Sequence, residues 1–280
     1  VKPGRSVSEP VVSSIPADIL GSDNPKDYSL TLAKGLAILE MFSEDVKAVT
    51  LQGVADHLST SRATARRLIM TLEIAGYVEK GRDGYTLSSK CLAISRAYLG
   101  INSVLSILGD MVRDLAARLE CPCSLVSLDR SDVMFLCRDP SRRVYASRLA
   151  LGDRLPAHAS AGGKLLLANL ADDALRAWFG TVTAAPLASR TIQSYPALLA
   201  EIRKIRKLGY AVTESELEEG VLSLAVPVRD NKGTTTMALI TSSMTTRTSL
   251  AGLIEANLET MKAAAEDMSQ AFGDFLRHNA

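Results

Sequence analysis

A chain of 280 residues is long enough for two domains of about 150 residues, each with its own core. Hydrophobic residues make up 47% and charged residues 22%, and 32 Lys and Arg against 31 Asp and Glu leave a net charge of +1, so neither a globally basic nucleic-acid binder nor an acidic tail is encoded and any charge argument is local. Four cysteines are too few for a disulfide framework, no apolar run reaches the roughly 18 residues of a membrane span, and VKPGRSVSEPVVSS lacks the apolar centre of a secretory signal; a cytoplasmic protein with reduced thiols and no membrane contact is expected.

Residues 1–27 hold four of the ten prolines and no apolar periodicity, which reads as a flexible tail. The alternative is an arm contacting DNA through Lys2, Arg5 and Lys26. From Ser29, an N-cap, the stripe Leu30, Ala33, Leu36, Ala37, Ile38, Leu39 and Phe42 is helical. Thr50 caps a short helix, LQGVADHLS, and a turn falls at Ser59-Thr60. Ser61 opens a third helix, RATARRLIMTLEIAG, which closes at Gly76. Strands at Tyr77-Val78 and Tyr85–Leu87 are joined by the turn signal Asp83-Gly84. Two helices, a tight turn, a helix and a hairpin in this order make a winged helix-turn-helix, assigned to residues 28–88.

Residues 29–87 balance seven Lys and Arg against seven Asp and Glu, yet Ser59 to Leu72 contains Arg62, Arg66 and Arg67 and no acid. Lys80 and Arg82 add charge at the hairpin tip. Side chains near a helix N-terminus reach base edges while Arg and Lys neutralise phosphates, so the candidate contacts to a double-stranded operator are Ser61, Arg62, Thr64, Arg66, Arg67, Lys80 and Arg82. Arg62, Thr64 and Arg66 are expected in the groove and Arg67 on phosphate. A winged helix used for protein contacts, with its arginines solvated, is the alternative.

Residues 89–106 read as a linker helix. Leu87, Cys91, Ile94, Tyr98, Ile101 and Leu105 step by 4, 3, 4, 3 and 4, a seam like that of a short coiled coil, and Leu92 and Leu99 mark a second apolar face. Self-association through this helix is expected; burial in one core is the alternative. Residues 107–280 form the second domain. A helix covers ILGDMVRDLAARLE, CSLVSLD and DVMFLCRD alternate as strands, RRVYASRLAL is a third strand, and LGDRLPAHAS a loop. Ser160 starts the helix AGGKLLLANL; ADDALRAWFG and YPALLAEIRKIRKLGY are further helices. GYAVTESELEEG leads into VLSLAVPVRD and TTTMALITSS, a strand pair, and a helix over about 248–276 closes the chain. Hairpins outnumber βαβ units, so the class is α+β with a mainly antiparallel sheet flanked by helices.

Enzyme signatures are missing. Ser160 and Lys164 are not at SxxK spacing, there is no GxSxG, and GGK lacks the upstream glycine of a phosphate loop. His57, His158 and His278 lie far apart without HExxH or CxxC, and Cys121 and Cys123 have no clustered partner, so no cofactor, metal or catalytic residue is expected. A small-molecule-processing enzyme carrying a vestigial winged helix is the alternative function, and a regulator sensing a protein partner is another.

Four blocks, LAKGLAILEMF, SRATARRLIMTLEIAGYVEKGRDGYTLS, LPAHASAGGKLLLA and GYAVTESELEEGVLSLAVPVRD, resemble in order the motifs of the IclR-type bacterial transcription regulators. PSRRVYASRLALGDRLP and LAVPVRD are most similar to the branch controlling protocatechuate, hydroxybenzoate and β-ketoadipate catabolism. The resemblance implies a winged helix, a linker helix and a GAF-like effector domain, dimers that pair into tetramers on DNA, and a small organic acid, aliphatic or aromatic, as effector.

Ser160, Ala161, Gly162 and Gly163 open a helix, whose free N–H groups and dipole suit a carboxylate; an ordinary cap packed with small residues is the other reading. The resemblance favours the first, with Ala161 and Gly162 offering backbone N–H groups. It also places Thr213 and Ser223 on the pocket wall, where relatives that bind keto acids carry Asp and Cys, which argues against a keto acid here. Arg148 is a candidate anion partner or a surface residue at a strand end, His158 is expected to be structural, and Trp178 and Phe179 are expected in the core. At least one of Glu214 and Glu216 is expected to be structural or to face solvent, because an acid ligand would avoid both.

Overall fold

The computed structural model describes residues 28–43, 46–101, 104–139 and 149–278. The proposed tail and Arg148 therefore lie outside the described residues, as does most of the RRVYASRLAL segment. Two compact units divide at Ile101 and Asn102.

In the first unit, α1 (Leu30–Glu40), α2 (Leu51–His57) and α3 (Arg62–Ile74) precede a hairpin of β1 (Val78–Lys80) and β2 (Tyr85–Leu87), and α4 (Cys91–Ile101) follows. Each of the first three helices begins on a hydroxyl cap: Ser29 Oγ accepts from Leu32 N, Thr50 Oγ1 from Gly53 N and Ser61 Oγ from Thr64 N. Ala37, Ile38, Val54, Ala55, Leu58, Ala65, Leu68 and Ile69 bury the facing sides of the helices. The hairpin is tied to this core by paired backbone bonds between Val49 and Tyr85, both 2.9 Å. Gly84 makes that approach possible, since a Cβ there would stand 2.5 Å from Val49 O and its φ is +139°.

The second unit is a six-stranded antiparallel sheet of β3 (Cys123–Asp129), β4 (Asp132–Arg138), β5 (Arg154–Pro156), β6 (Ala211–Glu214), β7 (Val221–Arg229) and β8 (Thr235–Met244), in the order β5-β4-β3-β8-β7-β6. One face packs on α5 (Val104–Leu119) and α9 (Leu250–His278) through Leu108, Val112, Leu125, Leu224, Leu239, Met261 and Met268. The other packs on α6 (Ala161–Leu167), α7 (Asp172–Gly180) and α8 (Tyr195–Leu208) through Val126, Leu165, Leu175, Ile202, Ala225 and Ile240. The class is α+β, with the sheet between two helical layers.

Three local expectations change. LGDRLPAHAS is not all loop: Arg154–Pro156 pair with Asp132–Met134 and Ala157–Ala159 make a 3-10 turn, because the open edge of β4 supplies partners that a three-residue segment does not advertise. Ala211–Glu214 form a strand on the opposite edge, paired with β7. Leu105 is not a seam residue; it is 8% exposed and belongs to the core of the second unit, with Val104 and Leu108. The seam position Cys91 is half-buried, its Sγ 3.5 Å from Tyr77 O. Ile94 and Tyr98 remain exposed on α4, with Leu92 on the second face.

Candidate functional site

The first unit presents α3 and the hairpin tip together. Arg62 and Arg66, one turn apart on α3, line the same cleft as Lys80 and Arg82, along with Thr50, Gln52 and Tyr85. Arg67 is exposed but lies outside that cleft. None of these five basic residues forms an ion pair with a described residue. Ser61 and Thr64 are differently occupied: the Ser61 hydroxyl caps α3, and the two hydroxyls stand 3.0 Å apart. Gln52, on the exposed side of α2 and donating to Asp56 at 2.8 Å, was not selected from the sequence, because one polar residue on a short helix carries no signal before the cleft exists.

In the second unit the α6 side of the sheet changes character along its strands. Val126, Ala238, Ile240, Ala225 and Ala211 are apolar. Two residues further along their strands, Ser242, Ser223 and Thr213 are register partners, a row of buried hydroxyls across β8, β7 and β6, and Ser124 on β3, opposite Ile240, stands diagonally beside that row. Ser223 Oγ is 2.9 Å from Ser242 Oγ. Ser124, Ser242 and Ser223 line a cavity with Ser160, Ala161, Phe135, Leu155 and Arg138. The Arg138 guanidinium lies 5.7 Å from the Phe135 ring centroid. The cavity volume is about 20 Å³, room for roughly one water.

Of the effector residues read from the sequence, Ser160, Ala161 and Ser223 meet in this cavity. Thr213 is buried beside Ser223 in the same row but does not line it. Gly162 faces the sheet: a Cβ would stand 2.5 Å from Ile240 Cδ1 and 2.9 Å from Val126 Cγ2. Gly163 meets the backbone of Ala157 in the same way, at 2.3 Å from its oxygen. The Ser160 hydroxyl is spent on the Gly163 N–H, at 3.1 Å. Arg138, Ser124 and Ser242 were missed; alternation along β3 and β8 puts both serines on the core face, a signal that gains meaning only once the strand order makes them neighbours.

Behind the cavity, Lys164 is fully buried and its Nζ donates to Glu216 Oε1 at 2.5 Å. Burial pushes the Glu216 carboxyl above the usual carboxylate range, and Lys164 pulls it back. Glu214 pairs with Arg190, so both glutamates near the predicted wall are engaged in ion pairs. His158 is 2% exposed, and burial lowers its pKa, with Lys164 acting in the same sense and Asp132 against it. Trp178 is half-buried and donates to Arg130 O at 2.7 Å; Phe179 packs with Tyr195. No described helix is long and apolar enough to cross a membrane, and no described group of His, Cys, Asp and Glu could hold a metal.

Comparison with known domains matches residues 31–82 to the IclR helix-turn-helix domain and residues 96–270 to the C-terminal domain of bacterial IclR transcriptional regulators. The chain belongs to the IclR family. Relatives in this family are named transcription regulators. The Pca regulon regulatory protein of Pseudomonas putida is 29% identical over 96% of this chain and 93% of its own length. The p-hydroxybenzoate hydroxylase transcriptional activator of Acinetobacter baylyi is 31% identical over 87% of this chain and 92% of its own. Among solved structures, the transcriptional regulator RHA06195 from Rhodococcus sp. RHA1 has a TM-score of 0.73 at 32% identity, covering 88% of this chain and 99% of that one. The inducer-binding domain of the Acinetobacter PobR transcription factor, a double mutant in complex with 3-hydroxybenzoic acid, has a TM-score of 0.56 at 29% identity, covering 59% of this chain and 96% of that one. As an IclR-family transcription regulator, the protein combines a DNA-binding helix-turn-helix with an effector-binding domain.

Proposed function

We propose that this IclR-family regulator senses a small aromatic carboxylic acid of the hydroxybenzoate class in the Arg138 cavity and transmits its binding to operator DNA. The observation that carries the reading is one guanidinium and a row of hydroxyls set in an otherwise apolar, Phe-walled cavity. Arg138 takes the carboxylate; Ser124, Ser242 and Ser223 take ring hydroxyls; and Phe135, Leu155 and Ile240 take the ring. The first-turn N–H groups of Ala161 and Gly162 add to the anion end. At about 20 Å³ the cavity is too small for a benzene ring, so entry has to displace its wall, and that displacement supplies the differential affinity a switch needs. Relatives named for p-hydroxybenzoate hydroxylase activation and solved with 3-hydroxybenzoic acid support the ligand class.

On DNA, Arg62 and Arg66 enter the major groove, Lys80 and Arg82 contact the flanking backbone from the hairpin, and Arg67 contacts phosphate. Ser61 and Thr64 act chiefly by fixing the start of α3. The protein works in the cytoplasm as a homodimer or homotetramer and leaves the acid chemically unchanged. A thermal-shift titration tests the effector claim with 4-hydroxybenzoate, protocatechuate, cis,cis-muconate, β-ketoadipate, pyruvate and glyoxylate. At a hundredfold excess over Kd, binding stabilises by about 2.7 kcal/mol. A shift with the aromatic acids that disappears in Arg138→Met and in Ser160→Trp is expected. No shift with any aromatic acid, a shift retained in Arg138→Met, or turnover of the acid by the purified protein would overturn the reading.

A further inference from the structure

Lys164 heads the fully buried side chains by size among the described residues, and a charge so enclosed needs a reason. Its pair with Glu216 is a poor stabiliser, because desolvating two charges offsets most of their attraction and apolar residues of similar volume would fill the space at lower cost. What the pair does supply is direction. It joins the elements that frame the cavity: Lys164 is one turn beyond Ser160 on α6, and Glu216 lies in the connection from β6 to β7, the strand that carries Ser223.

The Glu216 end is held firmly. Thr191 Oγ1 donates to Glu216 O at 2.6 Å, Arg190 N to Ser215 O at 2.9 Å, and Ser189 bonds Glu219 through both its N–H and its hydroxyl at 3.1 Å. On its other sides α6 rests on glycine contacts with no spare room, Gly162 over Ile240 and Val126 and Gly163 against Ala157. Those contacts stop α6 from moving closer; they do not stop it from turning or lifting away. Asn169, donating to Thr235 O at 2.7 Å, and Arg206, donating to Ala168 O at 3.0 Å, hold the C-terminal end of α6; the ion pair is the directional tie on the side facing Glu216.

We infer that the Lys164–Glu216 pair is a positioning device, acting through α6 to set where Ser160 and Ala161 stand in the effector cavity. The inference rests on the reading of that cavity as the effector site. The full-length protein is compared with three variants. Lys164→Met with Glu216→Leu removes both charges together, leaving none orphaned. Glu216→Asp keeps both charges but draws the anchor back by one methylene, and Glu216→Gln keeps the arm and its accepting oxygen.

Hydrogen exchange of the ligand-free proteins is read at residues 157–167 and, as a control, at 221–229. Exchange at 157–167 should rise about tenfold in the double variant and in Glu216→Asp, with the control unchanged. Glu216→Gln should stay within about threefold of wild type. The Kd for 4-hydroxybenzoate should weaken about tenfold in the first two and recover in Glu216→Gln. Wild-type exchange at 157–167 in both the double variant and Glu216→Asp overturns the positioning role; if the double variant does not fold, Glu216→Asp alone decides. Should the wild-type protein bind no aromatic acid, the effector reading fails, while exchange at 157–167 still decides this one.

Discussion

His158 shows how one buried ring ties stability to pH. Its pKa in the folded chain is lowered from the free value of 6.5, chiefly by burial. As pH falls through that free value, the unfolded chain takes up a proton that the folded chain refuses, so stability is full above it and declines below. The slope approaches about 1.4 kcal/mol per pH unit for a full proton of difference. The raised carboxyls of Glu216 and Asp132 act in the opposite sense at lower pH, since the folded state binds their protons more readily. Urea unfolding between pH 7.5 and 5.5 should therefore show wild type losing more stability than His158→Gln; equal losses would remove His158 as the cause. The sequence reading of His158 as structural rested on its isolation from other ligating residues, but the presence of Lys164 nearby was not legible, because the two meet only when α6 folds back on the 3-10 turn.

At the scale of elements, α3 and the hairpin together present basic residues in two settings. Arg62 shares a cleft with Lys80 and Arg82, whereas Arg67 lies outside it, so their variants should differ in kind. Against an operator selected from random duplexes by the wild-type protein, Arg62→Ala should cost about 1–3 kcal/mol and relax the selected sequence. Arg67→Ala should weaken all duplexes alike and reduce the salt slope by about 0.9. Binding isotherms across a salt series check both; the same loss on cognate and unrelated duplexes for Arg62→Ala would move it to the phosphates. This element was readable in advance because hydroxyl caps, apolar stripes and a turn glycine are local signals. The edge strands β5 and β6 were not, being three and four residues long, too short to show a clear alternation.

At the scale of the whole molecule, α4 bears on assembly. Ile94 and Tyr98 on α4 are 58% and 50% exposed, and Leu92 is 69% exposed, an apolar surface that self-association would cover. Tyr98→Asp places a charge there. Sedimentation should show a smaller particle, and operator affinity should fall by about a hundredfold as paired half-site binding is lost. Wild-type mass together with wild-type affinity would rule out α4 as the interface.

The chain order of its signals was enough to determine the α+β class, the winged helix-turn-helix and the capped start of α6, since each depends on residues within a turn or a hairpin of one another, and the resemblance of four ordered blocks pointed to the family. Only the tertiary structure decided the cavity. Ser124, Ser223 and Ser242 are unremarkable in separate strands and come to line one cavity when β3, β8 and β7 lie side by side. Lys164 and Glu216, 52 residues apart, become a pair when α6 packs beneath the β6–β7 connection. A sequence records which side chains are available, but burial and distance decide which of them share a low-dielectric space, and those quantities exist only once the sheet and its helical layers have packed.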